Sequence, residues 1–263
     1  MNPDETSTLR LAAQRLAHAV RDPRLALAYL QAGDDGVART RQARFVADVL
    51  GVRRSETLRL ARDLAESGFP DDVRARRATD YVGEVATGPL LYLICRLLGP
   101  ERVVETGVAS GTSSAYILKA MEANARGTLD SIDLPNYEEV LTQTRPDVYR
   151  AACSIVSPGR EVGWAIPPGL KGRWSLHIGP SSELLPKVLE AAGPIDLFLH
   201  DSEHTYETMI FEYRTAWPHL RTGGVLLSDD VGWNAAFPDF AREVGGSPHV
   251  YQHRFGALRK RGP

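Results

Sequence analysis

From about residue 86 onward, short apolar runs rich in β-branched residues alternate with longer helix-patterned stretches. "RVVETGV", "GTLDSIDL", "WSLHIG", "IDLFLHD" and "GGVLLSDDV" read as strands. "GPLLYLICRLLGP", "SSAYILKAMEANA", "SSELLPKVLEAAG" and "TYETMIFEYRTAWPHL" between them read as helices. Such alternation demands a parallel sheet with helices on both faces, because parallel strands need crossovers. "FPDFAREVGG" reads as one more helix and "HVYQHRFGALRK" as a last strand or hairpin. The expectation is an α/β, Rossmann-like sheet, mostly parallel with an antiparallel last strand.

The first 80 residues follow a different pattern. "TLRLAAQRLAHAVRD" sets Leu9, Leu11, Ala12, Leu16 and Val20 at near-helical spacing. "ARTRQARFVADVLG" and "SETLRLARDLAESG" continue it, with Ser55 placed to cap the latter and Gly68 to end it. "FPDD" at 69–72 breaks the pattern, and "RARRATDY" reads as a basic connector. Two regions are therefore expected: residues 1–80, a helical lid or dimer contact in a possible homo-oligomer, and residues 81–263, the sheet domain. Residues 134–170, with five prolines at 135, 146, 158, 167 and 168, read as irregular.

The bulk composition excludes several function classes. A net charge of -2 gives no global basis for binding nucleic acid or an anionic membrane. No run approaches the roughly 20 apolar residues that span a bilayer. "MNPDETSTLR" is polar and acidic, unlike a secretory leader. The two cysteines, Cys95 and Cys153, have no metal-site spacing, and Cys95 lies in an apolar run. A cytoplasmic location is expected.

The chemistry concentrates at strand ends. In an open parallel sheet, ligands bind beyond the carboxyl ends of the strands, at the point where strand order reverses. The first strand ends in Glu105-Thr106-Gly107, and Val-Ala-Ser-Gly111 leads into a helix. No Lys follows Gly111, so the P-loop pattern fails. Ala109 stands where the dinucleotide fingerprint needs its second glycine. A carboxylate at that strand end disfavours phosphate and favours a cation or an amino group. Asp133 ends the next strand about 20 residues further on, where nucleotide-binding sheets place an acid on ribose hydroxyls. The expected ligand carries a ribose and an amine but no pyrophosphate, a description that S-adenosylmethionine fits.

With "VVETGVASGTSS", "DSIDLP", "HIGPSSELLP", "IDLFLHDSEHTYE" and "GGVLLSDDV" in order, the chain resembles the class I S-adenosylmethionine-dependent methyltransferases over roughly residues 85–258. The departure is Ala109, where many members carry glycine. The resemblance implies a cofactor site drawn from Glu105, Thr106, Gly107, Gly111, Ser113, Asp133, Ser181, Ser182 and Asp201. Glu105 and Gly107 would line the methionine end, Asp133 the ribose, and Ser181 or Ser182 the adenine edge. "HDSEHTYE" followed by "LLSDDV" resembles a bacterial subgroup of macrolide-sugar and aminocoumarin-sugar O-methyltransferases. That narrower resemblance implies a divalent cation, Mg²⁺ foremost, on Asp201, Asp229 and Asp230, and a small-molecule hydroxyl as substrate.

Three clustered carboxylates repel unless a cation or protons neutralise them, and oxygen ligands suit Mg²⁺. His204 is the first candidate for general base, because its ordinary pKa lies near neutral pH. Glu203 is the alternative, and Asp201 lies beside both. His200 precedes Asp201 and is open to facing the other way. A metal-independent N- or O-methyl transfer using His204 or Glu203 is the competing reading. Asp229 and Asp230 are also open to a turn-capping role, as the lesser alternative. A nicotinamide-dependent oxidoreductase, or a binding protein that keeps only the fold, are further alternatives. Trp164 and Trp233, each in an irregular segment, are candidates for lining the substrate pocket, with weaker support for Tyr137. Phe211, Tyr213 and Trp217 follow a helical pattern and read as packing residues.

Overall fold

The structure is a computed structural model, and it describes residues 35–77, 87–134 and 160–262. The helix expected over residues 8–22, Tyr137, Cys153 and the prolines at 135, 146 and 158 lie outside the described residues. The chain divides into two compact units, residues 1–41 and residues 42–263.

Helices α1 (Asp35–Leu50), α2 (Arg54–Glu66), α3 (Phe69–Arg77) and α4 (Gly88–Leu98) precede strand β1 (Arg102–Thr106). There follow α5 (Thr112–Asn124), β2 (Thr128–Asp133), β3 (Trp174–Ile178), α6 (Ser181–Ala192) and β4 (Ile195–His200). The last elements are α7 (Tyr206–Ala216), β5 (Leu220–Ser228), α8 (Ala236–Glu243), β6 (His249–Tyr251) and β7 (Phe255–Arg259). Two details depart from the sequence reading. "FPDD" opens α3 instead of breaking a helix, since Pro70 fits a first turn and Asp71 and Asp72 favour the positive end of the dipole. The N-cap of α2 is Arg53, not Ser55, and its side chain makes no capping bond.

The described strands form one sheet in the order β3-β2-β1-β4-β5-β7-β6. β1 pairs parallel with β2 and with β4, β2 with β3, and β4 with β5. β7 runs antiparallel to β5, and β6 antiparallel to β7, so the chain ends in a hairpin.

The period-2 alternation of each strand splits the core between two faces. Val103, Leu129, Leu197, Leu199, Val225 and Leu227 face one side, against residues of α1, α2, α4 and α5. Val104, Ile132, Phe198, Leu226 and Leu258 face the other, against α6, α7 and α8. Each such side chain contributes about 1.5–3 kcal/mol on burial. Cys95 sits in the first of these layers, fully buried and free. No described helix is long and apolar enough to cross a membrane.

The topology fixes where a ligand can bind. The chain leaves β1 for α5 on one face and leaves β4 for α7 on the other. The strand order therefore reverses between β1 and β4, which opens a crevice at their carboxyl ends.

Candidate active site at the carboxyl ends of β1, β4 and β5

The turn after β1 is held tightly from below. Gly107 has φ +83°, and a Cβ there would lie 1.9 Å from the carbonyl oxygen of Asp201. The Asp201 N–H donates to the Thr106 carbonyl at 2.8 Å. The β1 and β4 ends thus touch backbone to backbone, and only glycine fits at 107. Gly111, also at φ +83°, lies against Ile166 and Gly163. Residues 163–165 lie along the turn, with Gly163 N–H donating to Ala109 O at 2.9 Å and Ala165 N–H to Ser110 O at 2.8 Å. Ala109 adopts φ +47°, so it keeps the left-handed conformation that glycine would take more easily.

Several expected cofactor residues support this turn with their side chains. Glu105 is fully buried. It accepts hydrogen bonds from Ser113, from Ser114 at 2.6 Å and from Ser131 at 2.8 Å. Burial raises its pKa, and the three hydroxyls work in the opposite direction. Thr106 donates at 2.5 Å to Glu212 on α7. Ser181 also donates to Glu212, and Ser182 is exposed. Asp133, at the tip of β2, accepts the Ala109 N–H at 2.8 Å. Its pKa is raised by burial and opposed by backbone donors from Ala109, Leu134 and Val108. Gly107, Gly111 and Asp133 therefore form one surface at the crevice, and Glu105, Thr106 and Ser113 brace it from within.

Asp201, Asp229 and Asp230 do come together, and His204 joins them. His204 Nε2 lies 3.2 Å from Asp230 Oδ2 and 3.8 Å from Asp201 Oδ1. Burial, then the charges of Asp229 and Asp230, lift the Asp201 carboxyl well above its ordinary range. Burial and Asp229 push Asp230 up to about 6. Burial, helped by His200 and Arg254, pushes His204 down to about 3, so its imidazole is neutral at pH 7. Nε2 is thus the ring nitrogen that faces the carboxylates, and the other is Nδ1. That buried Nδ1 has no partner among the described residues. Trp233 is 49% exposed, packs edge-on against His204 with ring centroids 5.4 Å apart, and donates its indole N–H to Asp230. Glu203 accepts from Thr208 at 2.8 Å, at the start of α7. Trp164 lies on the segment along the β1 turn, with a buried indole N–H that has no partner among the described residues.

Two residues absent from the sequence reading shape the site. The first is Arg254, in the turn between β6 and β7. Its Nε lies 3.2 Å from Asp229 Oδ1 and 3.0 Å from Asp230 Oδ1, and its Nη2 lies 3.1 Å from Asp229 Oδ2. Burial works against its charge, but Asp229 and Asp230 raise the guanidinium pKa above its ordinary value. The second is Glu212, fully buried under the crevice. It accepts from His200 Nδ1 at 2.6 Å and from Ser202 at 2.7 Å, besides Thr106 and Ser181. Although burial opposes ionisation, His200 and the hydroxyls hold Glu212 below the usual carboxylate range. His200 therefore faces α7, and its Nε2 is buried without a partner among the described residues.

Arg254 changes the expectation of a metal. Both oxygens of Asp229 and one of Asp230 contact the guanidinium, and the fourth oxygen of the pair contacts His204. Mg²⁺ would need several of these oxygens at about 2.0–2.1 Å, beside a fixed positive charge. Among the described residues, no group of three or more His, Cys, Asp or Glu is arranged to hold a metal ion. The residues as placed do not fit a divalent cation.

Residues 104–231 match the family model described as a methyltransferase domain. A catechol O-methyltransferase from Niastella koreensis is 23% identical over 188 residues, covering 71% of each chain. The crystal structure of the S-adenosylhomocysteine-bound methyltransferase PaMTH1 from Podospora anserina shares the fold. It has a TM-score of 0.50 and 14% identity over 74% of this chain and 88% of its own. The O-methyltransferase TomG from Streptomyces achromogenes, solved with S-adenosylmethionine, gives a TM-score of 0.49 and 18% identity over 74% of this chain and 90% of its own.

Proposed function

We propose that this chain is an S-adenosylmethionine-dependent methyltransferase, as the match of residues 104–231 to a methyltransferase-domain model supports, and that it methylates a hydroxyl oxygen of a small molecule. The observation that carries the reading is the contact between Gly107 and the Asp201 carbonyl. It sets a proton-accepting cluster directly beside the turn of the cofactor crevice. The relative from Niastella koreensis, a catechol O-methyltransferase by name, supports oxygen as the acceptor.

The cofactor fits the residues present. The turn at Gly107–Gly111 offers close backbone approach, and Asp133 offers a carboxylate at the β2 end for ribose hydroxyls. Bound S-adenosylmethionine supplies an electrophilic methyl group. The chain's own residues do the rest. The turn and Asp133 hold one reactant and the wall formed by Trp233 and His204 the other, which raises their effective concentration. The cluster takes the hydroxyl proton. Asp201 is the acceptor at the cofactor turn, since its backbone touches Gly107, while His204, held near 3, is a poor base. His204 orients the cluster through Asp230. Glu203 is occupied by Thr208. No step passes through a metal.

The test is turnover with S-adenosylmethionine on matched acceptors: catechols, sugars and natural-product phenols against the corresponding amines. The reading expects S-adenosylhomocysteine and an O-methyl product from at least one hydroxyl series. Methylation confined to the amines would refute it.

A further inference from the structure

We propose that Arg254 is the resident cation of this site, standing where a divalent ion would otherwise bridge Asp229 and Asp230. The inference rests on the methyltransferase reading and assigns the cation of that same site. Three observations support it. The guanidinium contacts both carboxylates at 3.0–3.2 Å, and its planar fork suits paired oxygens. The pair has no oxygen left without a partner, since His204 takes the fourth at 3.2 Å.

The third observation is how the backbone delivers the side chain. Gln252 and His253 both have positive φ, +51° and +56°. They form the two central positions of the β6–β7 hairpin turn, closed by the Arg254 N–H on Tyr251 O at 3.1 Å. Hairpin turns of this hand ordinarily use Asn-Gly or Gly at these places, so Gln-His is strained. The strained turn is anchored on the site itself. The Val231 N–H donates to the Arg254 carbonyl at 2.8 Å, and Gly232 lies beneath the His253 carbonyl, 2.4 Å from where a Cβ would be. Val231 and Gly232 directly follow Asp230, so the carboxylates and their counter-charge are held by one backbone junction. Fixed in this way, Arg254 holds the Asp229 and Asp230 carboxylates together and keeps Asp230 in place for His204 and Trp233.

The experiment uses Mn²⁺ as the probe, followed by the electron paramagnetic resonance signal of the free ion. The full chain is stripped with chelator and loaded with S-adenosylhomocysteine. Wild type and Arg254→Lys, which keeps the charge, are expected to leave the signal unchanged up to millimolar protein. Arg254→Met is expected to bind Mn²⁺ saturably, at least tenfold more tightly than wild type, and to lose that binding when combined with Asp229→Asn. Saturable sub-millimolar binding by wild type, lost in Asp229→Asn, would overturn the proposal. So would an Arg254→Met protein that is folded by circular dichroism and gains no affinity. If Arg254→Met does not fold, the wild-type and Asp229→Asn titrations decide. Calorimetry of S-adenosylhomocysteine binding, read separately, tests the methyltransferase reading on which the inference rests.

Discussion

Replacing Gly107 by alanine tests the contact that joins the cofactor turn to the acidic cluster. The new Cβ would lie 1.9 Å from Asp201 O, 2.4 Å from its carbonyl carbon and 2.8 Å from Ser202 N. Ordinary carbon–oxygen contacts begin near 3.3 Å, so the β4 end must move by about 1.4 Å. That shift strains the 2.8 Å bond from Asp201 N–H to Thr106 O. Left-handed strain on a Cβ-bearing residue costs about 1–2 kcal/mol, and overpacking adds about 1–3 kcal/mol. A total near 3 kcal/mol is expected, which lowers Tm by about 6–12 °C at roughly 2–4 °C per kcal/mol. Gly68→Ala is the control, because Gly68 has φ +72° and nothing lies within 4 Å of where its Cβ would stand. It incurs the conformational cost alone, partly offset by a stiffer unfolded chain, for about 1 kcal/mol. Both variants are unfolded thermally in parallel and titrated with S-adenosylhomocysteine. Gly107→Ala should lose stability and affinity together. If it were no less stable than Gly68→Ala and bound the ligand like wild type, the backbone contact would be wrong.

Two further outcomes follow from the buried titrating groups. His204 is held near pH 3 against an ordinary value of 6.5, so the unfolded chain takes up its proton first. Its contribution is fully present above pH 6.5 and is lost as pH falls towards 3, on the order of 3–5 kcal/mol. Asp230, raised to about 6, acts with the opposite sign: its contribution is present below about 3.8 and lost as pH rises through 6. The stability of His204→Asn minus that of wild type, from urea titrations, should therefore grow in favour of the variant as pH falls from 6.5 to 4. A difference independent of pH would refute the burial of a neutral imidazole. Glu212→Gln replaces an acceptor of four donors by an amide and should cost about 3 kcal/mol at pH 7, read from the urea midpoint. A loss under about 1 kcal/mol would contradict the network.

The strand–helix alternation and the acids at strand ends were readable because both obey short-range rules. Strand period places Asp133, Asp201 and Asp229 at one rim, and Asp201, Asp229 and Asp230 do converge there. Arg254 was not readable. It reaches the cluster through a hairpin whose Gln-His turn carries none of the usual glycine signal, so its register could not be set from sequence. Glu212 did leave a trace. On α7, Met209, Ile210, Tyr213 and Ala216 are buried at helical spacing, and Glu212 falls on the same face. A charged residue on an apolar face requires buried partners, which are here His200, Thr106 and Ser202. The site residues Glu105, Thr106 and Ser113 were legible as members of the turn, but not as its inward braces. Which way a side chain faces at a strand end depends on the helices packed beneath, here on the hydroxyls of Ser114 and Ser131 and on Glu212.

The most direct test of methyl transfer without a resident divalent ion is product formation in chelator. Protein stripped of metal is incubated with S-adenosylmethionine and its best hydroxyl acceptor, with EDTA or with added Mg²⁺, and the O-methyl product is quantified by mass spectrometry. The account predicts equal rates in the two buffers, and lower rates in Asp201→Asn under both. Product that forms only when Mg²⁺ is restored would contradict it.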